Sequence, residues 1–188
     1  EIASCLVGSE MCIRDSIYAP TIRYHEGIFY CIVTNVGGRS GGNFFVYTTD
    51  PYGRWSNPVK LPFAGIDPSL FFDEDGRIYY TGTDTGIYIA EITFDVVRND
   101  TPKRNELPVS IQNVKCGEKH YIWNGSGGNN PEGPHLYRIH DMYYLMIAEG
   151  GTEYCHMVTI ARSKNVYGPY EACPHNPVLS NRSTCLNI

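Results

Sequence analysis

From Ile17 onward, apolar and polar residues alternate with a period of two, and Gly, Asn, Asp and Pro interrupt the runs every few residues. That pattern predicts short antiparallel strands, and no segment carries a sustained helical stripe. Three segments open alike: Ala19-Pro20-Thr21-Ile22-Arg23-Tyr24, Asp67-Pro68-Ser69-Leu70-Phe71-Phe72 and Gly133-Pro134-His135-Leu136-Tyr137-Arg138. Each passes through a polar turn into an aromatic-rich strand, predicted over 29–33, 78–81 and 143–147. Further strands are predicted over 44–49, 87–92 and 157–163, with a solvated outer loop over 98–106 and a short outer strand near 176–179.

The prolines at 20, 68 and 134 are spaced by 48 and 66 residues, near or above the repeat of one propeller blade. The reading is all-β: a β-propeller of which about three blades are present. Because a propeller needs at least about four blades to close, the chain by itself should form an open arc with an unpaired side. Equivalent positions of successive blades converge on one axis, so Asp67 and Glu132 should face a shared cavity. Two carboxylates over a pocket suit acid/base hydrolysis of a glycosidic bond. Each also has a plainer structural role to offer, Asp67 as an Asp-Pro turn and Glu132 as a solvated residue before Gly133-Pro134.

The 188 residues carry a net charge of -5, with 42% hydrophobic and 13% aromatic residues, enough to bury a core. A mildly acidic chain repels phosphate, so no nucleic-acid partner is expected. No apolar run approaches the ~20 residues that a spanning helix requires, and no membrane partner is expected. The seven cysteines show no CxxC spacing, which points to thiols rather than to a zinc site or a disulfide framework. The compartment leans to the cytoplasm, with a periplasmic or secreted location left open. Residues 5–16, Cys-Leu-Val-Gly-Ser-Glu-Met-Cys-Ile-Arg-Asp-Ser, resemble a translated sequencing-library adapter. The expected division is therefore a non-native leader over 1–16 and a partial propeller over 17–188.

Four motifs then carry a resemblance that spans the chain from Ile17 to Arg182. They are Ala19-Pro20-Thr21-Ile22-Arg23-Tyr24-His25, Gly65-Ile66-Asp67-Pro68-Ser69-Leu70, Pro131-Glu132-Gly133-Pro134-His135-Leu136-Tyr137 and Ala148-Glu149-Gly150-Gly151-Thr152-Glu153-Tyr154. In this order they resemble glycoside hydrolase family 43, in particular its β-xylosidase and α-L-arabinofuranosidase members. The resemblance implies a five-bladed propeller that inverts the anomeric centre, with Glu132 as general acid and Asp67 as the carboxylate that tunes it. It implies a substrate drawn from xylo-oligosaccharides or arabinose-substituted xylan, met by Tyr18, where relatives often have Trp, and by His135 and Glu153. The family's general base lies upstream of the Ala-Pro-Thr strand and has no counterpart here, so the chain alone is expected to be inactive. No cofactor or protein metal site is expected, although the resemblance allows a central divalent cation in the complete propeller. Asp73-Glu74-Asp75 reads as a charged turn rather than a calcium loop, and residues 125–128 as a flexible approach to Glu132. A non-catalytic carbohydrate-binding or scaffolding propeller is the alternative of another class, and an endo-arabinanase shares the carboxylate logic.

Overall fold

A computed structural model describes residues 17–37, 41–152 and 155–180; the leader expected over 1–16, and Glu153, lie outside the described residues. The described chain contains strands only, in three antiparallel sheets. Blade I is formed by β1 (Ile17–His25), β2 (Ile28–Asn35), β3 (Gly42–Thr48) and β4 (Val59–Lys60), in that order. Blade II comprises β5 (Ile66–Phe72), β6 (Ile78–Thr83), β7 (Ile87–Arg98) and β8 (Val109–Cys116), with β9 (His120–Trp123) also pairing β7. Blade III comprises β10 (Glu132–Ile139), β11 (Met142–Glu149), β12 (Met157–Ser163) and β13 (Glu171–Ala172), with β14 (Leu179–Ser180) also pairing β12. The first strand of blade II, β5, lies against both β1 and β10, so the three first strands line a common axis.

Period-two alternation distributes each strand between two cores, because successive side chains leave opposite faces of a sheet. In β2, Tyr30 and Ile32 pack towards blade II, whereas Cys31 and Val33 join Val46 on the far side of blade I. In β7, Tyr88, Ala90 and Ile92 fill the core shared with blade I. Its alternate residues, Ile87 and Ile89, join Leu136, Leu145 and Ile147 in the core shared with blade III. Blade II is thus buried on both faces, which is why Tyr79 and Tyr80 can follow one another in β6 and both be inaccessible. The face of blade I that turns away from blade II keeps Ile22 and Tyr24 exposed.

The outer strands depart from the predicted pattern. β7 runs on to Arg98 rather than ending near Ile92, with a register shift between Thr93 and Asp95. The shift turns its second half away, so one outer strand cannot follow it throughout. β8 pairs the distal part and β9 the proximal part. Polar contacts then join the blades. Asp73, buried at the end of β5, accepts from Arg138 Nη1 at 2.8 Å and from the Tyr143 hydroxyl at 2.6 Å. Its carboxyl would be raised by burial, but these donors hold it below its usual value. Asp73 therefore ties blade II to blade III instead of forming only a solvated charged turn. Cys31, Cys116 and Cys173 are thiols outside any disulfide.

Candidate active site

Each of the three first strands breaks register at the same place. The shift falls between Tyr18 and Thr21 in β1, between Ile66 and Ser69 in β5, and between Glu132 and His135 in β10. Proline contributes to the break because it has no N–H to give the ladder, and in each strand the residue before it is left-handed. The φ values are 40° at Ala19, 55° at Asp67 and 63° at Gly133. Aspartate and glycine tolerate that region, whereas alanine holds it at a cost of about 1–2 kcal/mol. Proline normally pushes its predecessor towards extended backbone, so the bulge is a conformation imposed by the surrounding sheet.

At this level of the axis the two predicted carboxyls come together. The Asp67 carboxyl is half-buried, and burial raises its proton affinity while a hydrogen bond from the Gly133 amide opposes the rise. That amide belongs to the residue after Glu132, so Asp67 reaches from blade II to the start of β10. Glu132 is also half-buried; burial raises its pKa first, the charge of Asp67 raises it further, and His156 works in the opposite direction. A carboxyl whose pKa is raised by burial and by a second carboxylate is shifted towards the form that can donate a proton.

Glu132 opens onto a cleft of ≈ 440 Å³ whose other walls are Ile66, the Thr83–Gly86 turn, Asn130, Pro131, Gly151 and Thr152. The lining mixes apolar surface with hydroxyl, amide and carboxylate groups of the kind a sugar can meet. On its rim stands Asp84, which sequence reasoning missed. Burial would raise the Asp84 carboxyl, but Lys119 at 2.9 Å, the Thr85 amide and the Tyr121 hydroxyl bring it down to about 2. A groove of ≈ 470 Å³ elsewhere, between the outer parts of blades I and II, includes Trp55, Arg54 and a single carboxylate, Glu106. Glu106 is exposed and accepts from the Lys103 amide in its own loop, so that groove has no second acid beside it; of the two predicted acids, Glu132 lines the axial cleft, whereas Asp67 acts on it from behind that wall.

The other expected substrate contacts have different surroundings. Tyr18 is 49% exposed on β1 and is not part of the cleft wall. His135 is half-buried, with Nδ1 2.8 Å from Arg23 Nη2. Because guanidinium only donates, Nδ1 is the acceptor and the ring proton sits on Nε2. Burial and then Arg23 lower the imidazole pKa, so the ring is neutral. Arg23 also donates to Leu70 O at 3.0 Å and to Ser69 Oγ at 3.1 Å, and lies 5.6 Å from the centre of the Tyr137 ring. One side chain of blade I thereby holds positions of blades II and III across the axis. Among the described residues no group of three or more His, Cys, Asp or Glu could hold a metal ion. The axial donors Ser69 Oγ and His135 Nδ1 are already taken by the Arg23 cation.

The glycine segment before Glu132 differs from expectation. Instead of a flexible approach, residues 125–128 are pinned by Glu149, whose carboxylate takes the Ser126 and Gly128 amides at 2.7 and 2.6 Å. The Glu149-Gly150-Gly151 run had been visible as a motif, but the 23-residue separation from its partner is not readable without the fold.

The profile of the Glycosyl hydrolases family 43 matches residues 7–188. The chain is 44% identical over 178 residues to a xylosidase/arabinosidase of Butyrivibrio fibrisolvens, covering 91% of this chain and 33% of that protein. It is 43% identical over 166 residues to a non-reducing end alpha-L-arabinofuranosidase of Bacteroides ovatus, covering 87% of this chain and 28% of that protein. Among solved structures, the Bacteroides ovatus xyloglucan PUL GH43B superimposes with a TM-score of 0.71 at 38% identity, over 91% of this chain and 31% of that one. A xylan beta-1,4-xylosidase from Bacillus halodurans gives a TM-score of 0.70 at 34% identity, over 88% and 32%. The chain thus spans about a third of the length of these relatives. With a partial propeller, the paired acids at its axis and a family match over nearly its whole length, the chain belongs to glycosyl hydrolase family 43.

Proposed function

We propose that the protein containing this chain is a glycosidase that releases xylose or arabinose units from xylan-derived oligosaccharides. Glu132 is the general acid: its carboxyl proton passes to the glycosidic oxygen as the bond from that oxygen to the anomeric carbon breaks. Asp67 keeps the proton on Glu132 until then and, through the Gly133 amide, fixes the strand start that carries it. Water attacks the anomeric carbon from the opposite face, and a carboxylate base supplied by sequence upstream of Ile17 takes its proton, so the configuration inverts. An inverting pair stands ~6.5–9.5 Å apart to admit that water. The observation that carries this reading is the placement of Glu132 on the wall of the cleft with Asp67 reaching the amide of the next residue, Gly133. The relatives named as xylosidases and arabinofuranosidases supply the substrate class.

The test is hydrolysis of aryl β-xylosides and α-arabinofuranosides by the 188-residue chain and by the full-length protein, each with and without Glu132→Gln. The full-length protein should turn over at least one substrate and lose about 10²–10⁴-fold in rate on substitution. The shorter chain should show no turnover. Hydrolysis by the shorter chain that Glu132→Gln abolishes would overturn the need for an upstream base. Full activity in the substituted full-length protein would overturn the role of Glu132.

A further inference from the structure

We propose that Glu149 is a positioning residue for the general acid, acting through the segment that leads into Glu132; the inference rests on the role of Glu132 proposed above. Glu149 ends β11 and is 0% exposed. Its Oε1 accepts from the Ser126 amide at 2.7 Å, the Ser126 hydroxyl at 3.0 Å and the Thr159 hydroxyl at 2.5 Å, and its Oε2 accepts from the Gly128 amide at 2.6 Å. Burial works against the charge, but these four donors hold the carboxyl below its usual range. It is therefore an anion at neutral pH, bonded to the 126–128 loop and to Thr159 of β12.

The loop is shaped to accept that anion. A Cβ at Gly125 would lie 2.8 Å from Glu149 Cδ, and one at Gly128 would lie 2.7 Å from Oε2 and 2.4 Å from Met157 Cε. Only glycine lets the backbone approach so closely. One residue further on, the Gly150 amide donates to Asn129 O at 2.6 Å. Beyond Asn130 and Pro131 comes Glu132, paired in register with Ala148, the neighbour of Glu149. The end of β11 therefore grips the lead-in at Ser126, Gly128 and Asn129 and also pairs with Glu132 itself. This fixes where the acid enters the cleft without Glu149 touching the sugar. Such fixing matters because a shift of about 1 Å in a catalytic group can cost about 10²-fold in rate.

Glutamine at 149 keeps the size but turns one acceptor into an NH₂ donor, which in either orientation must face a backbone N–H, that of Ser126 or that of Gly128. A mispositioned acid harms substrates in proportion to their need for protonation. The test compares two glycosides of whichever sugar the full-length protein hydrolyses, one with an alkyl leaving group and one with a dinitrophenyl leaving group. In Glu149→Gln, kcat for the alkyl glycoside should fall about 10–100-fold, while kcat for the dinitrophenyl glycoside and KM for both change less than about threefold. Ser126→Ala, which removes one donor and keeps the amide bond, should move the same ratio by about 2–10-fold and serves where Glu149→Gln does not fold. An equal loss on both glycosides, or no loss, in these variants overturns the inference. Glu132→Gln is run alongside. If it fails to discriminate between the glycosides, the assignment of the acid falls. If it discriminates and the Glu149 and Ser126 variants do not, only the positioning role falls.

Discussion

Replacing Arg23 with methionine removes the side chain that joins all three blades at the axis. Three charged hydrogen bonds to the other blades are lost, to Leu70 O, Ser69 Oγ and His135 Nδ1, along with a long, exposed one to Ile22 O in its own strand. Hydrogen bonds from ionised donors contribute about 1.5–3 kcal/mol each. Partial exposure of Arg23 reduces that figure, and release of a long side chain returns up to about 2 kcal/mol of rotamer entropy. Methionine also keeps part of the apolar stem. The expected net loss is about 3–5 kcal/mol, a fall of roughly 1.5–2.5 M in urea midpoint for a slope of about 2 kcal/mol per M. Arg23→Lys should recover about half, because an ammonium cannot reproduce the planar fork. The contact has its own spectroscopic reporter: without Arg23, one cause of the lowered His135 pKa disappears, so the imidazole should titrate at higher pH in NMR spectra. A loss below about 1 kcal/mol, or a His135 titration that does not move, would refute the view that Arg23 holds the axis together.

Asp67→Asn should lower the pKa of Glu132 without returning it fully to normal, because burial, its larger cause, remains; ¹³C carboxyl titration reads this directly. Both carboxyls are raised above their ordinary values of 3.8 and 4.5, so their contribution to stability is full below those values and is lost as pH rises through the folded pKa values. Asp67→Asn should accordingly melt higher than the parent at neutral pH, and the difference should vanish in acid. Gly65→Ala would bring a Cβ to 2.0 Å from Thr83 O at a φ of +99°, whereas Gly27→Ala meets nothing within 4 Å at +84°. The first should cost about 3 kcal/mol or more and the second about 1 kcal/mol, and equal melting temperatures would refute the packing argument.

The repeat was readable because its signals are local. Proline at 20, 68 and 134 marks the bulges, and alternation marks the strands between. Superposing the three openings also places Asp67 and Glu132 near one another, although Glu132 is one residue out of phase, since Gly133 holds the position equivalent to Asp67. What escaped the sequence were partnerships across long separations. Arg23 and His135 are 112 residues apart, and neither reveals its partner by spacing. Glu149 sat within a recognised motif, but an acidic residue at a strand end is ordinarily solvated, and only the fold shows the four donors converging on it. Asp84 escaped notice because its partners Lys119 and Tyr121 lie 35 and 37 residues away, on β9 and its approach.

The shared bulge separates backbone shape from side-chain identity. Ala19, Asp67 and Gly133 have different chemistry, yet the sheet holds each in the same left-handed state before proline. Around the axis these sites behave as interchangeable sockets, in which a residue can be swapped without redrawing the strand. One socket holds an acid, one holds the glycine whose amide steadies it, and one holds an alanine that a glycine, asparagine or aspartate would suit better. Ala19 is thus the address at which a third polar group could be installed beside the axis, and doing so would relieve the fold of strain.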